Sequence, residues 1–385
     1  MRLGLDVTAA VAQGAGIGRY TRELLRALAA ADPDNHYRLF FASRTCPHPL
    51  PPLPPNFRVT ALPIHDIWLA RLWHRARLPL PVETFIGPVD VFHSPDFTLP
   101  PVRRGTRTLL TVHDLSFVRD PGSAPPGLLA YLNAVVPRSV ARADHVLADS
   151  QATKNDLIEL YRVPAEKVTV LYSGVEANFR PVTDAAQLAA VRARYGLGEA
   201  PFILAVGTLQ PRKNYVRLLQ AFAAVASQSP ISDLQLVIAG GKGWLFDSIF
   251  AEVERLGLKQ RVRFPGFVAD GDLPALYSAA RVLAYPSLYE GFGLPMLEAM
   301  ACGTPVVAST ASCLPEVAGD AALLVPPTDV PALAEALGRA TADEAVRAEL
   351  IARGFARARA FTWSKSAEQL LALYHRLYQD RESAI

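Results

Sequence analysis

The chain has 385 residues, of which 50% are hydrophobic and 19% are charged, with a formal net charge of +3. This length exceeds the size at which one hydrophobic core stops growing, so we expect two domains. The charge is too small to indicate a nucleic-acid partner, and the three cysteines lack metal-binding or redox spacing, which favours a reducing cytoplasm. No basic leader and no membrane-length apolar run is present, so any membrane contact is expected to be peripheral.

The first half of the chain alternates between strand-like and helix-like segments. "RLGLDV" precedes a helix over "IGRYTRELLRALAAAD", and the later strands are "YRLFFAS", "VDVFHS", "TLLTVHDL", "HVLADS" and "KVTVLYSGV". Continuous apolar strands separated by helices indicate a parallel sheet that is covered on both faces. "NFRPV" is interpreted as a linker to the second half.

The second half repeats this alternation. Its strands are "FILAVGTL", "LQLVIAGG", "RVRFPGFV", "RVLAYPS" and "PVVAST", with a helix over "YVRLLQAFAAVA". We therefore predict an α/β protein with two doubly wound, Rossmann-like domains that have parallel sheets. The predicted domains are residues 1–180 and 181–362.

Glycines and polar side chains collect where the predicted strands end. Ligands of open parallel sheets bind at the carboxyl ends of strands, so these positions are candidate binding residues. They comprise the glycine loop at residues 14–19, His113, the pair Arg212 and Lys213, the glycine loop at residues 240–243, and Glu290. If the strand ends of two domains face each other, the clusters line a cleft.

The segment "EGFGLPMLE" places Glu290 and Glu298 on either side of a turn that contains Gly291 and Gly293. Glycines allow the backbone to approach a ligand, and the start of the following helix directs N–H groups at an anion. Pro295 suits the first turn of that helix. The two carboxylates are suited to accept hydrogen bonds from hydroxyl groups. The segment therefore predicts a site for a phosphate compound that carries hydroxyls, such as a sugar nucleotide.

The other clusters allow more than one interpretation. Arg212 and Lys213 are either solvated charges or the cations that neutralise a diphosphate leaving group. His113 is either structural or a site residue at the ligand edge. The loop "GAGIGR" lacks the third glycine of the dinucleotide fingerprint, and the second strand ends without a ribose-binding acid. This loop is either a tight turn or a loop that faces phosphate or substrate.

Two further patterns favour structural roles. The Asp-x-Asp matches at Asp32 and Asp270 are interpreted as a turn and a helix cap, so no metal site is predicted. "DIWLARLWHRARLPL" places Trp68 and Trp73 on one face of a helix. Core packing explains that face, and contact with an anionic membrane surface is the alternative.

The run from Glu290 to Glu298, followed by "AMACGTPVVAS", closely resembles the glutamate–seven residues–glutamate signature of retaining family 4 glycosyltransferases. The likeness spans nearly the whole chain and includes "GAGIGRY", "TVHDL", "VLYSGVEANFRP", "VGTLQPRKN", "VIAGG" and "FTWSKSAEQLLALY". It implies the GT-B architecture of two facing Rossmann-like domains, an acceptor-side N-terminal domain and a donor-binding C-terminal domain, and no metal or other cofactor. It also implies that a final helix at residues 363–385 crosses back onto the N-terminal domain.

The resemblance assigns roles to the catalytic candidates. Glu290 would hydrogen-bond hydroxyls of the transferred sugar, Lys213 and Arg212 would bind the diphosphate, and His113 would lie near the donor sugar. Many members place an arginine after the glycine that corresponds to Gly207. Thr208 occupies that position here, so Arg212 would supply the charge instead.

The same resemblance assigns the donor-binding residues. Glu298 would hold the nucleotide ribose, and Gly16 would lie in a loop that faces the cleft. The backbone at Phe292, Gly293 and Leu294 would meet the phosphates, and the base would lie near Phe267 and Val268.

These roles imply transfer of a hexose from a nucleoside-diphosphate sugar to an acceptor hydroxyl, with retention. "GIGRYTREL" and "GTLQPRKN" look most like mannosyltransferases of surface polysaccharide synthesis. The implied donor is GDP-mannose, and the implied acceptor is a glycan or a lipid-linked glycan at the inner face of the membrane. The alternatives are a sugar-nucleotide epimerase of the same architecture and a non-catalytic, donor-binding regulatory protein.

Overall fold

The computed structural model describes residues 1–14, 16–228, 231 and 233–382, and it divides into two compact units. The first unit consists of Met1–Leu115, Gly127–Gly174 and the chain from Thr362 onward, and the second consists of Ser116–Pro126 and Val175–Phe361. The sequence prediction placed residues 116–126 and 175–180 in the first domain. In the structure they belong to the second unit, where the Trp244 indole donates to the Ser123 carbonyl at 2.6 Å and the Val175 N–H donates to the Phe361 carbonyl at 3.2 Å.

Thirteen strands are found among the described residues. They are β1 Arg2–Asp6, β2 His36–Ala42, β3 Phe57–Leu62, β4 Val91–Ser94, β5 Arg107–Val112, β6 His145–Ala148, β7 Val168–Val170, β8 Phe202–Val206, β9 Gln235–Ala239, β10 Val262–Gly266, β11 Val282–Tyr285, β12 Val306–Ser309 and β13 Leu323–Val325.

The helices begin and end at the following residues: α1 Thr8–Ala12, α2 Ile17–Ala31, α3 Asp66–Ala70, α4 Glu83–Ile86, α5 Ser116–Arg119, α6 Pro126–Arg142, α7 Gln151–Tyr161, α8 Ala185–Arg194, α9 Tyr215–Gln228, α10 Asp247–Arg255, α11 Leu273–Ala279, α12 Leu294–Ala301, α13 Leu314–Ala318, α14 Val330–Ala342, α15 Glu344–Ala358 and α16 Trp363–Glu382. A π-helical turn at Arg71–Arg75 continues α3, and 3₁₀ turns occur at Pro121–Ser123, Ala165–Lys167 and Pro211–Lys213.

The first unit has a seven-stranded parallel sheet in the order β3-β2-β1-β4-β5-β6-β7. The order reverses between β1 and β4, and that switch point is where open α/β sheets bind ligands. The last helix, α16, belongs to this unit, and its Tyr374 hydroxyl lies 2.7 Å from Nδ1 of the buried His93. Leu370, Leu373 and Leu377 of α16 join the core that covers β1.

The second unit has a six-stranded parallel sheet in the order β10-β9-β8-β11-β12-β13. Its switch point lies between β8 and β11. The predicted strands are confirmed in both units, and β3 and β13 are additional strands at sheet edges. Each sheet therefore presents one crevice at the carboxyl ends of its central strands.

Candidate functional site

The carboxyl ends of β8 and β11 bring three predicted site residues of the second unit together. Lys213 Nζ lies 2.6 Å from Glu290 Oε1, and the Arg212 guanidinium lies 2.8 Å from Glu290 Oε2. Arg212 also donates to the Tyr289 carbonyl at 2.6 Å. We call Arg212, Lys213 and Glu290 the switch-point cluster. It joins the loop after β8 to the loop after β11 at the crevice that the strand order creates.

The backbone holds the switch-point cluster from both sides. The Leu288 N–H donates to the Arg212 carbonyl at 2.8 Å, and the Glu290 N–H donates to Ser312 Oγ at 2.8 Å. The Cys313 thiol donates to the Glu290 carbonyl at 3.1 Å. Both ends of the Glu290 peptide are thereby fixed, which orients its carboxylate toward the two cations.

Burial would by itself raise the pKa of Glu290, but Arg212 and Lys213 outweigh it and lower that pKa to about 2. Glu290 is therefore ionised at neutral pH. Lys213 is only 8% exposed, and its Nζ lies 3.1 Å from the Tyr285 hydroxyl and 5.0 Å from the centroid of the Tyr285 ring. A cation held over an aromatic face in a desolvated site is positioned to act on an anion with little solvent screening.

The turn after Glu290 has the geometry that the sequence predicted. Gly293 has a φ of +97°, and a Cβ there would lie 3.0 Å from Leu314 Cδ2, so the position favours glycine. The helix α12 starts at Leu294, directly after it. Phe292 is buried and makes an edge-to-face contact with Phe361 at 5.7 Å between ring centroids. The helix α12 therefore starts shortly after Glu290 on a fixed turn, where Pro295 carries no N–H and the Met296 N–H donates to the Gly293 carbonyl at 3.0 Å.

The loop after β8, which contains Gly207, and the glycine loop at residues 240–243 run side by side. The Leu209 N–H donates to the Gly241 carbonyl at 2.9 Å, and the Gly243 N–H donates to the Leu209 carbonyl at 3.1 Å. A Cβ on Gly240 would lie 2.0 Å from the Gly207 carbonyl oxygen, so the second loop needs glycine for this close approach. Thr208, the predicted departure from the family pattern, is exposed in the first of these loops.

Glu298 is 2% exposed, and its Oε2 accepts a hydrogen bond of 2.7 Å from the Tyr277 hydroxyl. The carboxylate that is predicted to bind the ribose is therefore oriented by a hydrogen bond within the protein. The two predicted base-contact residues differ in exposure. Phe267, directly after β10, is 56% exposed, whereas Val268 is buried.

In the first unit, both ring nitrogens of His113 are hydrogen-bonded. Nδ1 lies 2.7 Å from Asp149 Oδ2, and Nε2 lies 2.9 Å from the Pro95 carbonyl oxygen. A carbonyl only accepts, so Nε2 carries a hydrogen and donates it. The rings of Tyr20 and Phe97 pack edge-on against the imidazole, with centroids 4.9 and 5.5 Å away.

The charge on His113 follows from these partners. Burial lowers its pKa, but the Asp149 carboxylate, with further contributions from Asp96 and the Pro95 carbonyl, raises it to about 9. His113 is therefore an imidazolium at neutral pH, with both N–H groups donating within the first unit. This arrangement suits a fixed electrostatic role and leaves no ring lone pair for a general base.

We predict that His113 titrates near pH 9 in the folded protein. Because this pKa is above its value of about 6.5 in unfolded chains, the stabilisation is fully present below pH 6.5 and is lost as the pH rises through 9. The loss is on the order of 3 kcal/mol. NMR of the histidine Cε1–H groups gives the midpoint, with Asp149→Asn expected to lower it and the exposed His36→Gln to leave it unchanged. A midpoint of 6.5 or below would contradict this assignment.

Gly16 is the residue immediately before α2, with a φ of +57° and open space where a Cβ would be. Ala15 of the predicted "GAGIGR" loop lies outside the described residues. The Arg22 guanidinium, a residue that the sequence analysis did not single out, donates to the carbonyls of Ala10, Gln13 and Gly14 at 2.7 Å. These hydrogen bonds fix the backbone that leads into the loop.

The first Asp-x-Asp match lies in the predicted turn, whereas the predicted helix cap at the second is wrong, because Asp272 precedes α11 but its side chain caps no N–H group of that helix. Asp32 accepts from the Tyr37 hydroxyl at 2.5 Å, and Asp272 accepts from Tyr195 and from Arg194 at 2.8 and 2.7 Å. Within the part of the chain that the structure describes, no group of three or more His, Cys, Asp or Glu side chains is arranged to hold a metal ion.

In the segment that contains Trp68 and Trp73, one tryptophan is buried in the core and the other is exposed to solvent. Trp73 is buried and its indole donates to the Leu80 carbonyl at 2.9 Å, whereas Trp68 is 59% exposed beneath the Arg71 guanidinium. Among the described residues, no helix has the length and apolar character needed to cross a membrane.

The partners Asp149 and Tyr285 were missed by the sequence analysis. Asp149 directly follows β6 in "HVLADS", so the strand-end rule that selected His113 could also have selected it. Tyr285 is the last residue of β11, and its sequence context is that of an ordinary core aromatic. Only the position of Lys213 over its ring indicates a role at the site.

Two family models match the chain. The one described as "Glycosyltransferase Family 4" matches residues 14–179, and the one described as "Glycosyl transferases group 1" matches residues 190–357. Together they cover most of both units. O-antigen chain mannosyltransferase B of Escherichia coli is 33% identical over 372 residues, which cover 93% of this chain and 95% of that protein.

Solved structures share the fold over almost the full length. Sucrose-phosphate synthase from Thermosynechococcus elongatus aligns with a TM-score of 0.76 and 26% identity, covering 99% of this chain and all of that one. HepE of Anabaena, solved in complex with UDP and glucose, aligns with a TM-score of 0.73 and 20% identity over 98% of this chain and all of that one. The likeness to HepE shows the fold alone.

Proposed function

The chain belongs to the glycosyltransferases of the GT-B fold, and we propose that it transfers mannose from GDP-mannose to a hydroxyl of a glycan or lipid-linked acceptor. The E. coli relative is an O-antigen chain mannosyltransferase, which supports mannose as the sugar and a glycan as the acceptor class. We propose retention at the anomeric carbon, no metal requirement, and action at the inner face of the membrane as further parts of this function.

The switch-point cluster is the observation that carries the proposal. Two cations and one carboxylate give it a net charge of +1 at the ligand crevice of the second unit. A diphosphate has enough negative charge and enough oxygen atoms to take both cations as partners, and α12 begins shortly after Glu290, where a helix start favours an anion. The backbone of Phe292, Gly293 and Leu294 is proposed to meet the phosphates.

Donor binding is proposed to redistribute the hydrogen bonds of this cluster. The diphosphate replaces Glu290 as the partner of Lys213 and Arg212. The Glu290 carboxylate then accepts hydrogen bonds from hydroxyls of the transferred sugar. As the glycosidic bond breaks, negative charge grows on the departing phosphate, and the two cations stabilise it most strongly at that stage. Glu298 is proposed to accept a hydrogen bond from a ribose hydroxyl while the Tyr277 hydroxyl keeps its hydrogen bond to the other side of the carboxylate.

The remaining site residues take supporting roles in the proposal. The exposed ring of Phe267 is suited to stack on the nucleotide base, and the buried Val268 follows it in the chain. Thr208 and Gly16 are proposed to line the donor site by backbone or hydroxyl contacts. His113 is proposed to place a fixed positive charge near the donor sugar, which helps a leaving group that becomes more anionic.

We expect one nucleotide class to stabilise the protein in a thermal-shift panel of GDP-, UDP-, ADP- and dTDP-sugars, with GDP-mannose giving the largest shift. A ligand that binds only the folded state at about 100 times its Kd contributes about 2.7 kcal/mol, a shift of several degrees. Glu298→Gln should remove most of the shift. Tyr277→Phe, which deletes only the hydroxyl partner, should retain it, and an equal shift in wild type and Glu298→Gln would refute the ribose contact.

A product assay separates the proposed transfer from its alternatives. With GDP-mannose and mannose-terminated glycans, we expect an acceptor that gains one hexose in α linkage, at a rate unchanged by EDTA. Conversion of the donor sugar without any acceptor would identify an epimerase instead. Donor binding with neither product would identify the regulatory protein.

A further inference from the structure

A cavity of about 490 Å³ lies in the first unit, between the π-helical turn that follows α3 and the C-terminal half of α6. Its volume is typical of small-molecule sites, which span roughly 300–1,000 Å³. Trp73, Leu78 and Val135 supply apolar walls, and Arg77, Arg138 and Arg142 supply three guanidinium groups. None of these residues belongs to the candidate donor site.

The three arginines form a positive surface without acidic compensation. No Asp or Glu lines the cavity, and among the described residues no carboxylate forms an ion pair with Arg77, Arg138 or Arg142. Arg142 donates to the Leu99 and Pro100 carbonyls at 3.2 and 2.9 Å, which fixes its guanidinium at the wall. Burial, with a smaller effect of Arg142, lowers the pKa of His74 to about 4, so His74 adds no charge at neutral pH.

Apolar surface adjoins these cations on both helices. Along α6, Leu128, Tyr131, Val135, Arg138 and Arg142 recur every three or four residues and share one face. Its N-terminal part is apolar and partly exposed, and its C-terminal part is cationic. On α3, the exposed Ile67 and Trp68 precede the turn that contains Trp73 by about one helical turn.

A ligand that fills this cavity must both pair with the guanidinium groups and cover the apolar walls. Inorganic phosphate would pair with the guanidiniums and leave the apolar walls in contact with water. A neutral hydrocarbon would cover the walls and desolvate three unpaired cations, which is costly. Arginine binds phosphate oxygens in bidentate fashion, and Trp and Leu pack on hydrocarbon.

We propose that this cavity binds a phosphate ester of a hydrocarbon chain. Arg77, Arg138 and Arg142 hold the phosphate, and Trp73, Leu78 and Val135 cover the first part of the chain. The exposed apolar residues of α3 and α6 then extend the path of the chain beyond the cavity. This site follows from the cavity alone, independently of the proposed donor and of glycosyl transfer.

Calorimetric titration with farnesyl phosphate, below the concentration at which it forms micelles, tests the proposal. We expect saturable binding to the wild type and affinities at least about tenfold weaker for farnesol and for inorganic phosphate. Arg77→Gln and Arg138→Gln should each weaken farnesyl phosphate binding about tenfold, since each removes a charge-assisted contact. Arg75 is an exposed residue of the π-helical turn and does not line the cavity, so Arg75→Gln should leave the affinity unchanged.

A second variant tests the site without removing an arginine. Leu78→Asp places a carboxylate at an exposed position of the cavity wall, and it should abolish farnesyl phosphate binding while the thermal shift by GDP-mannose stays as in the wild type. Equal affinity in all variants would overturn the proposal, as would equal affinity for farnesol and farnesyl phosphate. Binding to phosphatidylglycerol vesicles without any binding of monomeric farnesyl phosphate would overturn it in favour of a membrane-surface contact.

Discussion

Lys213→Ala is expected to lower kcat for glycosyl transfer by about 10²- to 10³-fold, the usual effect of removing one group that stabilises developing charge. Lys213 Nζ is held between Glu290 and the Tyr285 hydroxyl at 2.6 and 3.1 Å in a desolvated pocket. In the proposed mechanism Lys213 changes partner when the donor binds, so the cation is already in place when the diphosphate departs. Release of the nucleoside diphosphate in the presence of acceptor gives the rate.

The stability of the Lys213→Ala protein should change much less than its turnover. Arg212 still pairs with Glu290 in this variant, so the carboxylate is not left without a cation. Lys259→Ala is the matched control, because Lys259 belongs to the same unit and forms an exposed ion pair with Glu254. Turnover equal to that of the wild type in Lys213→Ala would remove Lys213 from the mechanism.

Glu290→Ala is expected to lower the free energy of unfolding by about 3–5 kcal/mol, the cost of leaving buried charges without their partner. Two cations share this one carboxylate, so its loss leaves Lys213 and Arg212 repelling each other in a site with little solvent. Urea unfolding at neutral pH measures the difference. Glu254→Ala, which breaks only an exposed pair, should cost less than about 1 kcal/mol.

The double variant Lys213→Ala/Glu290→Ala gives the decisive comparison for this pair. It should be more stable than Glu290→Ala, because it also removes the buried Lys213 cation that the single variant leaves beside Arg212, yet it should remain inactive. A double variant whose destabilisation equals the sum of the two single effects would mean that the two side chains do not interact.

The central strands were predictable because a buried parallel strand is a short, continuous apolar run. "FILAV" and "VLAY" at β8 and β11 are such runs. The edge strands β3 and β13 carry weaker signals. "FRVTAL" alternates exposed and covered side chains, and β13 has only three residues. The division into units differs from the predicted domains because residues 116–126 join the second unit through tertiary contacts such as Trp244 to Ser123, which no local sequence pattern indicates.

Sequence reasoning selected the components of the candidate site and missed their pairing. The strand-end rule chose Lys213 and Glu290 separately, because each follows a central strand. Their ion pair of 2.6 Å joins residues 77 positions apart, and no local pattern encodes such a contact. Likewise, the imidazolium state of His113 depends on Asp149, 36 residues away. Glycosyl transfer and the GT-B fold are confirmed, whereas the roles of individual residues remain proposals.

The switch-point cluster as a diphosphate site is the central claim, and ³¹P NMR of GDP-mannose tests it most directly. Titration with the wild-type protein should shift both phosphate resonances saturably, and Lys213→Ala should weaken binding and reduce the shifts, while Lys259→Ala should behave as the wild type. Phosphate resonances that respond identically to wild type and Lys213→Ala would contradict the claim and place the donor phosphates elsewhere.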